Sequence, residues 1–202
     1  SSDLFYDKSA LYHSQGERTF DTDAGQFRVG GNVRLYTPNS AGTIFSDTGG
    51  VVIRNFEAGV YGGWEQFYRD ERLKTSVTMR LDKNQNFQPL VSPAASIVYK
   101  VNENNTLRFS VSSAIRNPTL ADQYLNYNVG RAVLLGNLNG FDSLVTLDNI
   151  VDYLAKPGNE RLTHDFGYFD VDAIRPERVR TAEVGWRATL FERVFVDANY
   201  YY

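Results

Sequence analysis

One polar stretch groups residues with the chemistry of a binding site: Tyr124, Tyr127, Arg131, Asp165, Phe166, Tyr168, Phe169 and Asp170. Flat aromatic faces beside carboxylates suit a carbohydrate or a siderophore, with rings to stack on and acceptors for hydroxyls. A loop that folds on itself also needs aromatics for its own small core. Each residue alone is therefore read as self-packing, and a few of the set as ligand contacts. Bond-breaking chemistry has less to work with. His13 and His164 are the only histidines, they stand in separate polar segments, and no metal-ligand spacing joins them to Asp or Glu. The chain has no Cys, which removes thiolate metal sites and cysteine nucleophiles. Gly30-Gly31 and Gly62-Gly63 lack the following helix that a phosphate cradle requires. The expectation is a protein that is not an enzyme, with no cofactor and no metal.

The elements that must position the aromatic stretch announce themselves by period. In Arg72–Asp82, Leu73, Thr75, Val77, Met79 and Leu81 share one face, while Lys74, Ser76, Thr78, Arg80 and Asp82 share the other. Leu107, Phe109 and Val111 oppose Arg108, Ser110 and Ser112 in the same way. Ala182, Val184, Trp186, Ala188 and Leu190 oppose Glu183, Arg187 and Thr189. A soluble sheet could show this alternation; a strand crossing lipid must, apolar outward and polar inward. Further strands are predicted over Asn55–Arg69, Pro93–Val101 and Val194–Tyr202. Another, over Phe27–Tyr36, is placed in an extended loop hairpin.

Turns at 69–72, 102–105 and 191–193 are short, whereas the other connections, including 83–91 and 115–178, are long. In an antiparallel sheet all the short turns then fall at one end and all the long loops at the other, the asymmetry of outer-membrane barrels. A loop as long as 115–178 is unexpected in a compact soluble domain unless it carries function. Within it, Leu147, Ile150, Val151 and Leu154 predict a short helix near 144–155, stopped by Pro157 and Gly158. Trp64, Tyr68, Tyr99, Trp186 and Tyr200–Tyr202 near strand ends fit an interfacial aromatic girdle or ordinary sheet packing equally well. The organisation expected is 1–54 mostly extracellular loop with a candidate hairpin, 55–114 barrel strands, 115–179 a long extracellular loop, and 180–202 a barrel hairpin.

Composition agrees with this class. Tyr and Phe number 13 each against one Met, with 16 Gly, as in β-rich proteins. A net charge of -3 gives nucleic-acid binding no electrostatic support. No run of about 18 apolar residues predicts a transmembrane helix, and a mean hydropathy of -0.39 is compatible with strands that are only half apolar. Residue 1 is Ser, so the numbering is expected to begin on a processed or excised piece.

Several segments then follow a familiar order. Arg80-Leu81-Asp82 ends a strand and Ser92-Pro93-Ala94-Ala95 opens the next. Arg116-Asn117-Pro118-Thr119 leaves a strand, Arg175-Pro176-Glu177 returns to one, Glu183-Val184-Gly185 continues it, and Asn199-Tyr200-Tyr201 closes the set. This order resembles the late barrel strands of TonB-dependent outer-membrane receptors over roughly Gly42 to Tyr202, with Gly42–Asp47 similar to an external-loop segment of Bacteroidetes members. Ala94-Ala95 in place of Arg-Ala, and Asn117 in place of Ala or Ser, depart from the pattern without breaking the strand logic.

The resemblance implies an all-β fold, an antiparallel transmembrane β-barrel segment of about 22 strands in the whole barrel, with long extracellular loops. It implies energised uptake of a scarce nutrient such as a siderophore or glycan, in the bacterial outer membrane. The implied partners are outer-membrane lipid, a plug domain and the TonB energy complex (neither visible in this chain), a small ligand, and a surface lipoprotein. The structural motif residues carried over are Arg80, Asp82, Pro93, Arg116, Pro118, Pro176, Glu177, Glu183 and Gly185. Pro118 and Pro176 direct the chain out of and into strands, Glu177 and Arg178 are expected to cap or pair in the lumen, and Glu183 and Arg187 to join Arg80 and Arg108 in a ladder of opposite charges. Two alternatives stay open: a complete small outer-membrane barrel of about eight strands, and a soluble extracellular glycan-binding β-sandwich.

Overall fold

The computed structural model describes residues 6–158 and 166–202; His164 and Asp165 lie outside the described residues. The chain divides into two compact units. One comprises Asp7–Asn39, Val52–Asn117 and Pro176–Tyr202; the other comprises Ser40–Val51 and Pro118–Arg175 together with Tyr6.

The first unit is a single sheet. It begins with six long strands: β1 (Ala10–Thr22), β2 (Gly25–Thr37), β3 (Asn55–Tyr68), β4 (Leu73–Asn84), β5 (Leu90–Asn102) and β6 (Asn105–Arg116). The chain then passes through short strands of the second unit, β7 (Asn126–Asn128), β8 (Val133–Leu135), β9 (Phe141–Leu144) and β10 (Phe169–Val171). It returns as β11 (Glu177–Leu190) and β12 (Val194–Tyr201). The eight long strands lie in the order β1-β2-β3-β4-β5-β6-β11-β12, every neighbour antiparallel.

Register carries the alternation across the whole sheet. Trp64 stands opposite Val77, Val77 opposite Ala95, Ala95 opposite Val111, and Val111 opposite Ala182. Four residues along, Tyr68, Leu73, Tyr99, Leu107 and Trp186 form a continuous row toward the short-turn end. Among the described residues nothing covers this apolar face. Val77 is 49% exposed, Phe109 46% and Val184 53%, and Ile53, Phe87 and Ala188 are the only buried apolar side chains among the described residues. In water each such side chain forgoes about 1.5–3 kcal/mol of burial. A sandwich would have a second sheet here, so that alternative falls. The closed small barrel falls as well, because β1 and β12 are edges and do not pair with each other.

The sheet corrects the sequence reading in four places. Residues 1–54 were expected to be mostly loop with a candidate hairpin; Ala10–Thr22 and Gly25–Thr37 do form a hairpin, but a long one that belongs to the main sheet. The loop placed at 83–91 shrinks to 85–89, because Asn84 and Leu90 already belong to strands. Strand β11 starts at Glu177 rather than 180, immediately after Pro176. Arg178, expected beside Glu177 in the lumen, lies opposite Ile115 and therefore on the apolar face. Pro93 sits inside β5 opposite Met79 of β4, at the point where the ladder to β6 has not yet begun, so no β6 partner awaits its missing N–H.

The second unit is built from caps and short hairpins. Pro118 ends the extended segment, and Thr119 opens helix α1 (Leu120–Tyr124) with a capping box to Asp122. Strands β7 and β8 pair, as do β9 and β10. Helix α2 (Leu147–Ala155), capped by Thr146, falls within the stretch where helical spacing predicts one. Its attachment is unexpected. Tyr153 packs against Phe166 at 4.6 Å and Asn149 donates to the Gly167 carbonyl, while Leu147, Ile150, Val151 and Leu154 are exposed.

Candidate functional site

The polar face of the sheet is a connected set of ion pairs. Arg80 donates to both oxygens of Asp82 at 2.8 Å and to Asn32 at 2.6 Å, and its guanidinium lies 5.5 Å from the centre of the Tyr61 ring. The Tyr61 hydroxyl donates to Glu17 at 2.8 Å, and Glu17 stands 3.5 Å from Arg28. Further along, Arg108 donates to Glu183 at 2.9 Å and to Asn199 at 2.7 Å, and Arg187 to Asp197 at 2.8 Å. Lys74 pairs with Glu65 at 2.9 Å; Glu57 accepts from Asn84 and Asn117. Arg116 and Glu177 stand opposite each other with 3.9 Å between charges, both largely exposed. This is the ladder of opposite charges that the alternation predicts.

Two glycines make the ladder possible. A Cβ on Gly59 would come within 2.3 Å of the Arg80 guanidinium and 2.5 Å of Asp82. On Gly185 it would meet Asn199 at 2.6 Å and Arg108 at 3.3 Å. Each glycine is bare so that an arginine from the next strand can lie flat across it to a partner. Sequence motifs named Gly185, Arg80 and Asp82 but did not say why; register and contact supply the reason.

The second unit joins two segments that are distant in sequence. Phe45 bridges Leu125, Ser46 donates its N–H to the Tyr124 carbonyl, and Asn126 donates to that of Ile44. The Gly42–Asp47 segment is held by its own hub. Buried Ser40 donates its hydroxyl to Asp47 at 2.7 Å while accepting from the N–H of Phe45 at 2.9 Å and of Ile44 at 3.2 Å. Asp47 also accepts from the N–H groups of Ser40 and Gly42. Burial pushes the Asp47 carboxyl up, but these donors outweigh it and hold the group below its ordinary 3.8.

A cavity of about 280 Å³ in this unit is lined by Ser46, Gln123, Tyr124, Asn126, Asn139 and Phe141, among others. Gln123 is buried and donates to the Pro118 carbonyl. Asn137, between the lining residues Gly136 and Leu138, ties three segments together, with its N–H on the Asp122 carbonyl, its side chain on the Asp172 carbonyl, and its own carbonyl accepting from Ile174. Both residues escaped the sequence reading, because single amides in a loop carry no periodic signal.

The residues singled out from sequence fall into two groups. Tyr124 closes α1 and lines the cavity, Tyr127 is in β7, and Arg131 is exposed in the β7–β8 connection. Phe166, Tyr168 and Phe169 belong to the β10 side: Tyr168 lies 5.8 Å from Phe166, and Tyr168 and Phe169 are exposed. Asp170 accepts from the Ser143 N–H, which ties β9 to β10. Phe166 and Asp170 are thus self-packing, as the sequence reading favoured for individual residues. Among the described residues, no cluster of three His, Asp or Glu could hold a metal ion.

A sheet with an ion-paired polar face, an exposed apolar face and long loops at one end defines a section of a lipid-spanning antiparallel barrel. The chain matches the family described as TonB dependent receptor-like, beta-barrel, over residues 2–202, and it belongs to that family. Members of this family are outer-membrane β-barrel proteins. Among solved structures it is similar to the siderophore receptor PirA from Pseudomonas aeruginosa, with 16% identity and a TM-score of 0.63, covering 96% of this chain and 32% of PirA. It is also similar to PirA from Acinetobacter baumannii, with 16% identity and a TM-score of 0.60, covering 96% of this chain and 26% of that receptor. At that identity the likeness is one of fold. The chain spans about a third or less of either receptor's length. No curated protein matches the chain at the sequence level.

Proposed function

We propose that these residues form part of the barrel wall and external loops of a TonB-dependent outer-membrane receptor that takes up a scarce small nutrient, a siderophore, a glycan or a similar compound. One observation carries the reading: a single open sheet exposes its apolar face while its polar face is internally paired. Only an apolar solvent compensates that arrangement. The loops then lie outside the cell, the polar face lines the lumen around a plug domain, and energy arrives through the TonB complex. A surface lipoprotein partner remains an expectation of the family. The siderophore receptors among its structural neighbours favour an iron chelator.

Within the loop unit, Tyr124, Tyr127, Arg131, Asp165, Tyr168 and Phe169 are the ligand contacts proposed, with Tyr124 the strongest because it lines the cavity. The test is uptake by cells carrying the full receptor as their only route for a labelled candidate nutrient. Tyr124→Ala should raise the half-saturating concentration several-fold while leaving receptor abundance in the outer membrane unchanged. Uptake that survives deletion of TonB, or a receptor recovered in the soluble fraction, would refute the assignment.

A further inference from the structure

The cavity of the loop unit is lined by two kinds of side chain. Tyr124 and Phe141 bring aromatic rings, while Ser46, Asn126 and Asn139 bring a hydroxyl and two amides; among the described residues no charged side chain lines it. The surrounding backbone is already committed. Ser46 donates to the Tyr124 carbonyl, Asn126 to that of Ile44 and Gly136 to that of Leu125. Buried Gln123 gives its amide to the Pro118 carbonyl. The side-chain amides of Asn126 and Asn139 differ: among the described residues neither has a hydrogen-bond partner. Each offers two N–H donors and a carbonyl acceptor. Both are held in place by the chain around them. Asn126 stands in β7 opposite Leu135. Asn139 precedes Gly140, whose φ of 80° and 2.9 Å clearance from the Val171 carbonyl leave room only for glycine.

We propose that this cavity takes a neutral, hydroxyl-rich ring, one sugar residue of a carbohydrate, with its hydroxyls bonded to Asn126 and Asn139 and its C–H face toward Tyr124 and Phe141. An amide presents a donor and an acceptor side by side, which matches adjacent hydroxyls that both give and accept. Charge weighs against the other ligand class: an anionic ferric chelate entering the cavity would need cations to offset its lost hydration. Volume agrees. The cavity's 280 Å³ lies just below the roughly 300–1,000 Å³ of pockets for drug-sized ligands, so it suits a single ring rather than a chelate of several. The proposal rests on the uptake reading above and narrows it, because likeness to siderophore receptors is one of fold, whereas the lining is this chain's own.

The full receptor in neutral detergent is titrated calorimetrically with maltose, cellobiose, xylobiose and mannobiose, and with a ferric tris-catecholate. At least one disaccharide should bind, and the chelate should not displace it. Asn126→Leu and Asn139→Leu keep the size and remove the amide. Each should weaken the bound sugar about 5-fold, the worth of one ordinary hydrogen bond, and the double variant about 25-fold. A measurement on wild type needs no variant to fold: the sugar should slow amide hydrogen exchange at residues 124–126 and 136–141. Binding of none of the disaccharides, an undiminished affinity in the double variant, or exchange unchanged in both segments would overturn the site. Binding of the chelate in their place would overturn the sugar class and leave the uptake reading standing. Uptake that persists without TonB would do the reverse.

Discussion

Val184 is the position at which the orientation of the sheet can be measured. It lies on β11, a strand of 14 residues, with seven residues of the strand before it and six after. At about 3.4 Å per residue and a tilt near 40°, the strand rises about 36 Å and Val184 sits near the midplane. Phe109 and Tyr200 stand opposite it on the neighbouring strands, and it is 53% exposed. Val184→Arg should therefore cost about 2–4 kcal/mol of folding into a bilayer, roughly 30- to 800-fold in the folding equilibrium. Val179→Arg, on the polar face of the same strand, should cost little. A packed core would also reject arginine, so a second substitution separates the readings. Val184→Phe adds volume that fluid lipid accepts, whereas a close-packed interior loses about 1–3 kcal/mol to overpacking. The assay is urea-dependent folding of the full receptor in lipid vesicles, followed by heat-modifiable gel mobility. A Val184→Phe penalty as large as that of arginine, or an arginine cost below about 1 kcal/mol, would refute the lipid-facing assignment.

Gly185→Val should destabilise the barrel by about 1–3 kcal/mol, because its Cβ has no room beside Asn199 and Arg108. Gly62→Ala, where the nearest atom is 3.8 Å away, should be nearly silent in the same thermal gel-shift assay. Glu183→Gln should cost about 1 kcal/mol, and a double-mutant cycle with Arg108→Gln should recover a coupling of similar size, since the pair is partly solvated. Asp47 is held below its ordinary 3.8, so its contribution to the loop is complete above that value and lost as pH falls through the lowered one. Proteolysis of the loop unit should accelerate in acid in wild type, while Asp47→Asn should be protease-sensitive already at pH 7, having lost about 2 kcal/mol of charge-assisted bonding.

The strands that were legible from sequence are those whose two faces differ. Over most of β4, β6 and β11, every second residue is apolar and its neighbours are polar or charged, and the register repeats that order row by row. Strand β1 was invisible for the opposite reason. Its residues continuing the apolar face include Tyr12, Ser14, Gly16, Arg18 and Phe20, and the other face carries His13, Gln15, Glu17 and Thr19. With polar groups on both sides there is no period to read; what makes it a strand is its unbroken ladder to β2. The loop body was illegible in another sense. The Asp47–Ser40 hub is local and its residue types are common in any turn, while the contact of Phe45 with Leu125 joins segments 80 positions apart. Aromatic chemistry pointed to one stretch without its partition, because cavity-lining Tyr124 and self-packed Phe166 have the same side-chain character.

The open edges set how far function can be assigned to these residues. Strands β1 and β12 each present a row of N–H and C=O groups with no neighbour on their outer side. In hydrocarbon every such unpaired group costs several kcal/mol, so a membrane-embedded form must pair both edges with strands outside this set. The polar face leads to the same requirement. Arg80 and Arg108 direct donors to Asp82, Asn32, Glu183 and Asn199, so these two charges are already paired. On the proposed reading, ligand capture would fall to the loop unit and gating to elements beyond these strands. On that reading the wall itself contributes shape.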